Sequence, residues 1–354
     1  MKQEFTINLN QRKYPVTIED HSFEKLGETL KGLLAGKRLA VITDRSVYDI
    51  YGKELEEQLS KTEKKTMVII LPPGKDAKAF HTLPEIYGKL ISFHLTRSDA
   101  LLAFGGGNIG DITGFVAATY LRGIDYYQLP TTVIAQVDSS IGGKVSVNLP
   151  EAHNIVGCFY QPKQVFIDTT FIQSLSDFQL TNGMAEVIKI AAVKDEDLFF
   201  DLLKQSRNKE IRSIDTIIYR SGLSKKLLIE EDEKAFSIRM LLSFGHTIGH
   251  AIRLLDTKNI YGHGHAVAMG MYTITSNSER MGLTEPGTSE LLKEILIGND
   301  LPYMLPDYIS REDIVSKMQN DKKRSGDTLH LALLKRIGKG YIHPVNINDL
   351  EDFL

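Results

Sequence analysis

Short apolar runs alternate with helix-spaced apolar residues through the first half of the chain. Residues 37–44 (KRLAVITD), 66–71 (TMVIIL), 99–104 (DALLAF), 125–129 (DYYQL) and 164–168 (QVFID) each hold an apolar core too short for a helix, followed by Gly, Pro or Asp. They read as strands. Between them, stretches such as 23–34 and 83–95 repeat apolar side chains at helical spacing. Strand alternating with helix predicts a mostly parallel, helix-covered sheet. After about residue 171 the pattern changes. Residues 195–205, 211–229, 239–255, 266–281 and 289–297 read as helices, and strand signals return only at 328–335 and 341–345. A boundary is therefore expected near 168–180, dividing an α/β domain (1–170) from a mainly α-helical one (171–354). A cleft between the two is the expected place for a site.

Composition sharpens this picture only by exclusion. At 354 residues the chain is long enough for two cores. Hydrophobic residues at 42% and charged residues at 25% exclude a disordered or fibrous chain. The 42 basic and 45 acidic side chains give a formal charge of −3, so no global basic field recruits nucleic acid. One local basic cluster stands at residues 321–324 (DKKR). The single cysteine, Cys158, excludes an internal disulfide and a Cys-rich metal site. The opening MKQEFTINLN lacks the apolar core of a signal peptide, and no apolar run reaches bilayer length. No membrane partner and a reducing cytoplasm are expected.

Candidate chemistry gathers in three places. Residues 104–111 (FGGGNIGD) follow a predicted strand and open a predicted helix, with Gly105, Gly107 and Gly110 at G-x-G-x-x-G spacing. Such glycines let backbone approach a pyrophosphate at a helix amino terminus, though a tight turn alone accounts equally well for the bare match. Asp44 ends a strand early in the sheet, where the carboxyl edge binds ligands, and is preferred over Asp125 as a ribose acid. Lys78 lies just past another strand end, and local sequence alone makes it a surface lysine.

The second place is a histidine cluster: His246, His250, His263 and His265 lie within twenty residues. The i, i+4 spacing of His246 and His250 puts both on one helix face, and Glu186 and Lys189, at i, i+3, share a face of an earlier helix. Two histidines and a carboxylate with open positions form a common catalytic zinc set. An isolated pair is as often structural, but the clustering favours metal. Bare spacing nominates His246 with His250.

The third is residues 129–162 (LPTTVIAQVDSSIGGKVSVNLPEAHNIVGCFYQP), whose polar residues follow neither period. Buried without use, such a stretch costs stability. Here the sequence resembles the 3-dehydroquinate synthase family. The triple-glycine turn ending in GD, LPTT, AQVDSS-x-GGK and N-x-x-G-x-FYQP occur in order, followed by GMAEVIK (183–189), FGHTIGH (244–250) and HGHAV (263–267). The resemblance runs from about residue 40 to 345. It implies a Rossmann-like amino-terminal domain and a helical second domain. It also implies NAD, a divalent metal (zinc or cobalt), and a homodimer that converts 3-deoxy-D-arabino-heptulosonate 7-phosphate to 3-dehydroquinate and phosphate. In that family the substrate is oxidised and later re-reduced by NAD, with phosphate elimination and ring closure between, so no net redox occurs.

By the same resemblance Glu186, His246 and His263 are metal ligands, leaving His250 for substrate and proton transfer. Lys144, Asn154 and Arg122 match phosphate binders, Arg122 reaching in from a neighbouring subunit. Lys189, Lys225 and Arg239 match groups that hold the carboxylate and hydroxyls, Asp138 pairs with Lys144, and Lys322 or Lys323 closes over the substrate. The cofactor set is Asp44, Pro73, Gly74, Lys75 and Lys78, then Gly106, Gly107, Asn108, Ile109, Gly110 and Asp111. Thr131, Thr132, Lys144, His153, Phe171, Ser174, Leu175 and Gln179 complete it.

Departures fall at working positions. Lys75 stands where the family usually has Glu, His153 replaces a lysine, and Ser243 replaces an asparagine and is too short for direct reach. Ala235 and Arg253 stand where acids are common. His265 replaces the Glu of the usual His-Gly-Glu and competes as a ligand. Rival readings are a sugar-phosphate cyclase such as a 2-deoxy-scyllo-inosose synthase, a metal-dependent polyol dehydrogenase, and a degenerate binding protein without catalysis.

Overall fold

The computed structural model describes residues 2–10, 12–208, 214–234, 237–319 and 324–354. Lys322, Lys323 and Ala235, singled out from the sequence, lie outside them. Two compact units divide the chain, Met1–Ser174 and Leu175–Leu354.

The first unit opens with a hairpin, β1 (Gln3–Asn8) and β2 (Lys13–Ile18). Then follow α1 (Leu26–Leu33), β3 (Leu39–Asp44), α2 (Arg45–Lys61), β4 (Thr66–Leu71), α3 (Leu83–Ser92), β5 (Ala100–Gly105), α4 (Gly107–Thr119) and β6 (Asp125–Pro130). A small hairpin of β7 (Lys144–Val147) and β8 (Val156–Phe159) precedes β9 (Gln164–Ile167). Among the described residues seven strands form one sheet in the order β1-β2-β9-β6-β5-β3-β4. All neighbours run parallel except β1 on β2.

Parallel strands covered on both faces need apolar residues at every position, and β3 and β5 are buried almost throughout. Alternate residues then serve opposite layers. Ala40, Ile42, Leu101 and Ala103 pack with Ile86 and Leu90 of α3 and Ile112 and Val116 of α4. Leu39, Val41, Leu102 and Phe104 pack with Leu26 and Leu30 of α1 and Leu55 and Leu59 of α2. From β3 the chain steps outward to β4 and then returns to lay β5 on β3's other side. The β3–β5 boundary is thus the topological switch point, where α/β sheets of this kind bind ligands beyond the strand ends.

The second unit is mainly helical, as expected: α5 (Asp177–Lys194), α6 (Glu196–Asn208), α7 (Ile214–Glu231), α8 (His246–Leu255), α9 (His263–Arg280), α10 (Thr288–Ile297) and α11 (Arg311–Met318). It ends in a small antiparallel sheet of β10 (Arg324–Ser325), β11 (Thr328–Arg336) and β12 (Lys339–Asn346). The single helix expected over 239–255 is two elements, a 3-10 stretch Ile238–Ser243 and α8. Gly245 divides them at φ +75°, a conformation that glycine adopts without strain and that ends a right-handed helix. Helices α8 and α9 cross at backbone contact: a Cβ on Gly270 would stand 2.1 Å from the Gly245 carbonyl oxygen, and one on Gly249 2.9 Å from that of Ala266. Among the described residues no helix is long and apolar enough to cross a membrane.

Candidate active site

In the first unit the glycine-rich turn falls at the switch point. Gly105 ends β5, Gly106 is the residue before α4, and the first turn closes through Ile109 and Gly110 N–H groups donating to the Gly106 carbonyl at 3.0 and 3.1 Å. Side chains pack closely on these glycines. A Cβ on Gly107 would meet Ser139 Oγ at 2.9 Å and one on Gly110 would meet Gln128 Oε1 at 2.8 Å. Helix α4 carries no acidic side chain in its first turn, so its exposed N–H end favours an anion. Asn108 Nδ2 donates to the Gly74 carbonyl at 2.9 Å, tying this turn to the Pro72-Pro73-Gly74-Lys75 loop after β4. Thr131 N–H donates to Gly105 O at 3.0 Å, and Thr132 Oγ1 accepts from Ala135 N–H at 3.2 Å.

Asp44 stands at the end of β3 and caps α2, accepting from Val47 N–H at 3.1 Å. Burial raises its carboxyl above the ordinary value, with the Val47 and Ser46 N–H groups opposing. Asp125, the discarded alternative, sits at the opposite end of its strand and pairs with Lys37 at 2.9 Å and Lys163 at 3.3 Å.

Lys78 is not a surface lysine. It is 3% exposed, and its ammonium donates to both Asp111 of α4 and Asn154 of the loop after β7. Asn154 adopts φ +59°, accepts from Ser146 Oγ at 3.1 Å, and donates its N–H to Asn148 Oδ1 at 3.2 Å. Asn148, one of the polar residues of 129–162 that follow neither period, and Ser146, not singled out from the sequence, thus hold the Asn154 loop. Their only signal was the lack of period in that segment. Asp138 lies in a π-helical turn, Ala135–Ser139, a form that concentrates at functional sites. Lys144 and His153 are exposed, as is Arg122, which follows Leu121 in left-handed backbone at φ +66° and +50°. Phe171 is buried among Phe23, Tyr51 and Phe104, and Ser174 Oγ donates to its carbonyl at 2.8 Å.

In the second unit three helices converge on one carboxylate. Glu186 of α5 is fully buried. Its Oε1 is 3.0 Å from His263 Nε2 at the start of α9 and 3.6 Å from His246 Nε2 at the start of α8, while Lys189 holds Oε2. Burial penalises the charged carboxylate, but the Lys189 ammonium and the two imidazoles outweigh it and hold Glu186 well below the usual range. Burial together with Lys189 keeps His246 well below the usual imidazole value, hence neutral at pH 7. Ligand atoms of Glu186, His246 and His263 all lie within 4.8 Å of one another. Donors on one tetrahedral zinc, at about 2.1 Å each, stand roughly 3.4 Å apart. The 3.0 and 3.6 Å separations bracket that value, so this donor set fits a divalent metal.

The remaining histidines take different positions. His250 is exposed, its ring centroid 5.3 Å from that of His246 and 6.1 Å from that of His263. His265 turns to α5, with Nε2 3.0 Å from Thr181 Oγ1 and its ring edge-on to Phe178 at 4.9 Å. Lys189, Lys225 and Arg239 are all buried, on α5, α7 and the 3-10 stretch before α8, three elements that pack together. Lys189 is met by the Glu186 carboxylate, and Arg239 donates to the Glu233 carbonyl. Gln179 forms a capping box with Ser176 at the start of α5, next to the half-buried Leu175. Ser243 Oγ donates to Met240 O at 2.7 Å, and Arg253 donates to Tyr261 O at 2.6 Å.

Solved structures with this fold include synthases of 2-deoxy-scyllo-inosose and 2-epi-5-epi-valiolone and, at lower TM-scores, glycerol dehydrogenases and a maleylacetate reductase. The match to 2-deoxy-scyllo-inosose synthase complexed with carbaglucose-6-phosphate, NAD+ and Co2+ has a TM-score of 0.86 at 24% identity, covering 99% of this chain and 98% of that one. For 2-epi-5-epi-valiolone synthase from Streptomyces hygroscopicus, with NAD+ and Zn2+ bound, the TM-score is 0.87 at 24% identity, covering 98% and 97%. A probable glycerol dehydrogenase from Sinorhizobium meliloti matches at 0.67 and 15% identity, covering 96% and 94%. The fold is thus the one these enzymes share.

Family models narrow the class. The 3-dehydroquinate synthase N-terminal model matches residues 68–182, and the C-terminal model matches residues 183–324. The 3-dehydroquinate synthase of Clostridium beijerinckii is 40% identical over 347 residues, covering 98% of this chain and 99% of that protein. That of Clostridium acetobutylicum is 42% identical over 349 residues, covering 98% of each. The chain belongs to the 3-dehydroquinate synthase family.

Proposed function

We propose that the chain converts 3-deoxy-D-arabino-heptulosonate 7-phosphate to 3-dehydroquinate and phosphate with NAD and a divalent metal, zinc or cobalt. The observation that carries this reading is the convergence of Glu186, His246 and His263 in a chain of this family. When bound, NAD accepts and returns a hydride and the metal acts as a Lewis acid toward the substrate's hydroxyl.

The chain's own residues supply the rest. The Gly106–Asp111 turn and the loop at Pro73, Gly74 and Lys75 cradle the cofactor's phosphates. Asp44 receives its ribose, and Thr131, Thr132, His153, Phe171, Ser174, Leu175 and Gln179 complete its surroundings. Lys78 orients Asp111 and Asn154 together. Lys144 and Asn154 bind the substrate phosphate, joined by Arg122 from the second subunit of a homodimer, and Asp138 balances Lys144. Lys189, Lys225 and Arg239 neutralise the substrate carboxylate. His250, exposed beside the triad, carries protons near the leaving phosphate. Lys322 enters on the family resemblance alone.

Phosphate release from the heptulosonate phosphate, with NAD and zinc or cobalt, is the test. Full cofactor and metal occupancy without release overturns the assignment. Cyclisation of another sugar phosphate moves it to a relative, NADH accumulating with a polyol makes it a dehydrogenase, and binding without turnover leaves a binding protein.

A further inference from the structure

Helix α9 begins with His263 directly after Gly262, a residue with no side chain to cap it. The first N–H groups of a helix have no partner within it, and a side-chain oxygen usually accepts from the second or third. Here that oxygen comes from another helix. Asn182 of α5 accepts from the His265 N–H, the third position of α9, through Oδ1 at 3.2 Å. Its amide nitrogen is committed elsewhere, donating to Phe178 O at 2.6 Å, which leaves the oxygen facing α9. The fit leaves no slack: a Cβ on Gly262 would lie 2.1 Å from Asn182 Oδ1, and one on Gly264 would lie 2.0 Å from its backbone carbonyl oxygen. Asn182 is 4% exposed.

We propose that Asn182 is a positioning residue for the metal centre, capping α9 from α5 so that His263 and Glu186 are held in ligating register. This rests on the reading of Glu186, His246 and His263 as the metal ligands. Asn182 and Glu186 are four residues apart and share one face of α5. One reaches the first turn of α9 through its amide, the other reaches His263 through its carboxylate at 3.0 Å. A second tie supports the same register: Thr181 Oγ1 lies 3.0 Å from His265 Nε2. The seam therefore sets where the imidazole of His263 stands relative to the carboxylate that must share its ion.

The experiment measures cobalt affinity of the metal-stripped full-length protein by competition with a chromophoric chelator, together with the visible spectrum of the cobalt form. Asn182→Ala should weaken cobalt binding by roughly 10- to 100-fold and alter the spectrum, as loss of groups that orient ligands generally does. Asn182→Asp keeps an acceptor for the His265 N–H but gives up the donor to Phe178 O, and should bind cobalt more tightly than Asn182→Ala. Asp99→Asn, a destabilising change in the other unit, should leave cobalt affinity at the wild-type value, separating positioning from general loss of stability. Wild-type affinity and spectrum in Asn182→Ala overturn the proposal. If that variant does not fold, wild-type affinity and spectrum in folded Asn182→Leu, which is of similar size and offers no acceptor to the His265 N–H, overturn it instead. A wild-type protein that binds no cobalt defeats the metal reading itself, and this proposal with it.

Discussion

The crossing of α8 and α9 makes Gly270→Ala a measurable test of how the triad is built. A Cβ there would stand 2.1 Å from Gly245 O, 3.0 Å from Gly245 C and 3.1 Å from Gly249 N, all backbone atoms. Ordinary contact begins near 3.4 Å, so the helices must part by about 1.3 Å at this point, and no flexible side chain can yield in their place. Gly245 directly precedes His246, so the shift is delivered to a member of the proposed metal triad. Metal sites tolerate only ~0.2 Å in their bond lengths, which makes a displacement of this size several times too large. Overpacking of this kind costs about 1–3 kcal/mol. We expect urea unfolding of the metal-free protein to show that loss, and chelator competition to show metal binding weakened at least ~10-fold. Gly88→Ala is the matched control, since it lies within α3 with nothing inside 4 Å of the new Cβ and should stabilise by about 0.5–1 kcal/mol. A Gly270→Ala protein with wild-type stability and metal affinity would refute the argument.

Three further outcomes are expected. Dialysed Glu186→Ala, His246→Ala and His263→Ala proteins should lose metal by elemental analysis while His250→Ala and His265→Ala retain it; loss in His250→Ala with retention in His246→Ala or His263→Ala would reverse the ligand set. Asp99 accepts from Arg38 N–H and Thr96 N–H at 2.7 Å each and from Thr96 Oγ1 at 2.8 Å. Burial opposes its charge, but these donors prevail and depress its pKa, so its stabilisation is present above the unfolded value and lost as pH falls through the folded one. Asp99→Asn should therefore cost about 2 kcal/mol at pH 7 and progressively less below pH ~4, and a penalty unchanged at pH 3 contradicts the assignment. Finally, if Arg122 serves a neighbour's site, mixed and refolded Arg122→Ala and Lys144→Ala subunits should regain part of the phosphate-release activity that each lacks alone. A fully active monomer by light scattering defeats that idea.

The central strands were legible because burial on both faces forces unbroken apolar runs such as LAVIT and ALLAF. The first hairpin was not: Gln3–Asn8 alternates over only six residues, and Pro15 interrupts the pattern of β2. Helix α2 was equally hidden, since only one stripe of it, with Leu55 and Leu59, meets the sheet while exposed Asp49, Lys53, Glu56 and Glu57 break up the apolar pattern. At the site, spacing alone paired His246 with His250, because local sequence reports only neighbours on one helix. Glu186, His246 and His263 meet through tertiary crossings whose determinants are glycines, and the motif resemblance supplied what spacing did not. Asn182 escaped notice for the same reason: a cap is normally sought just before its helix, not eighty residues earlier.

The place of β2 in the sheet carries a consequence for how the first unit is made. Val16 pairs with Val165 and Ile18 with Ile167, so the amino-terminal hairpin docks onto the last strand of its unit to be synthesised. At ~5–20 residues per second, the ribosome adds that strand roughly 7–30 s after the hairpin. Through that interval Ile7, Tyr14, Val16 and Ile18, all buried in the finished protein, have no sheet to cover them. Such long-range parallel pairing is slow and leaves nascent chains prone to aggregate. A nascent chain stopped before Gln164 should therefore recruit chaperones through its first eighteen residues, and one released just past Ser174 should not.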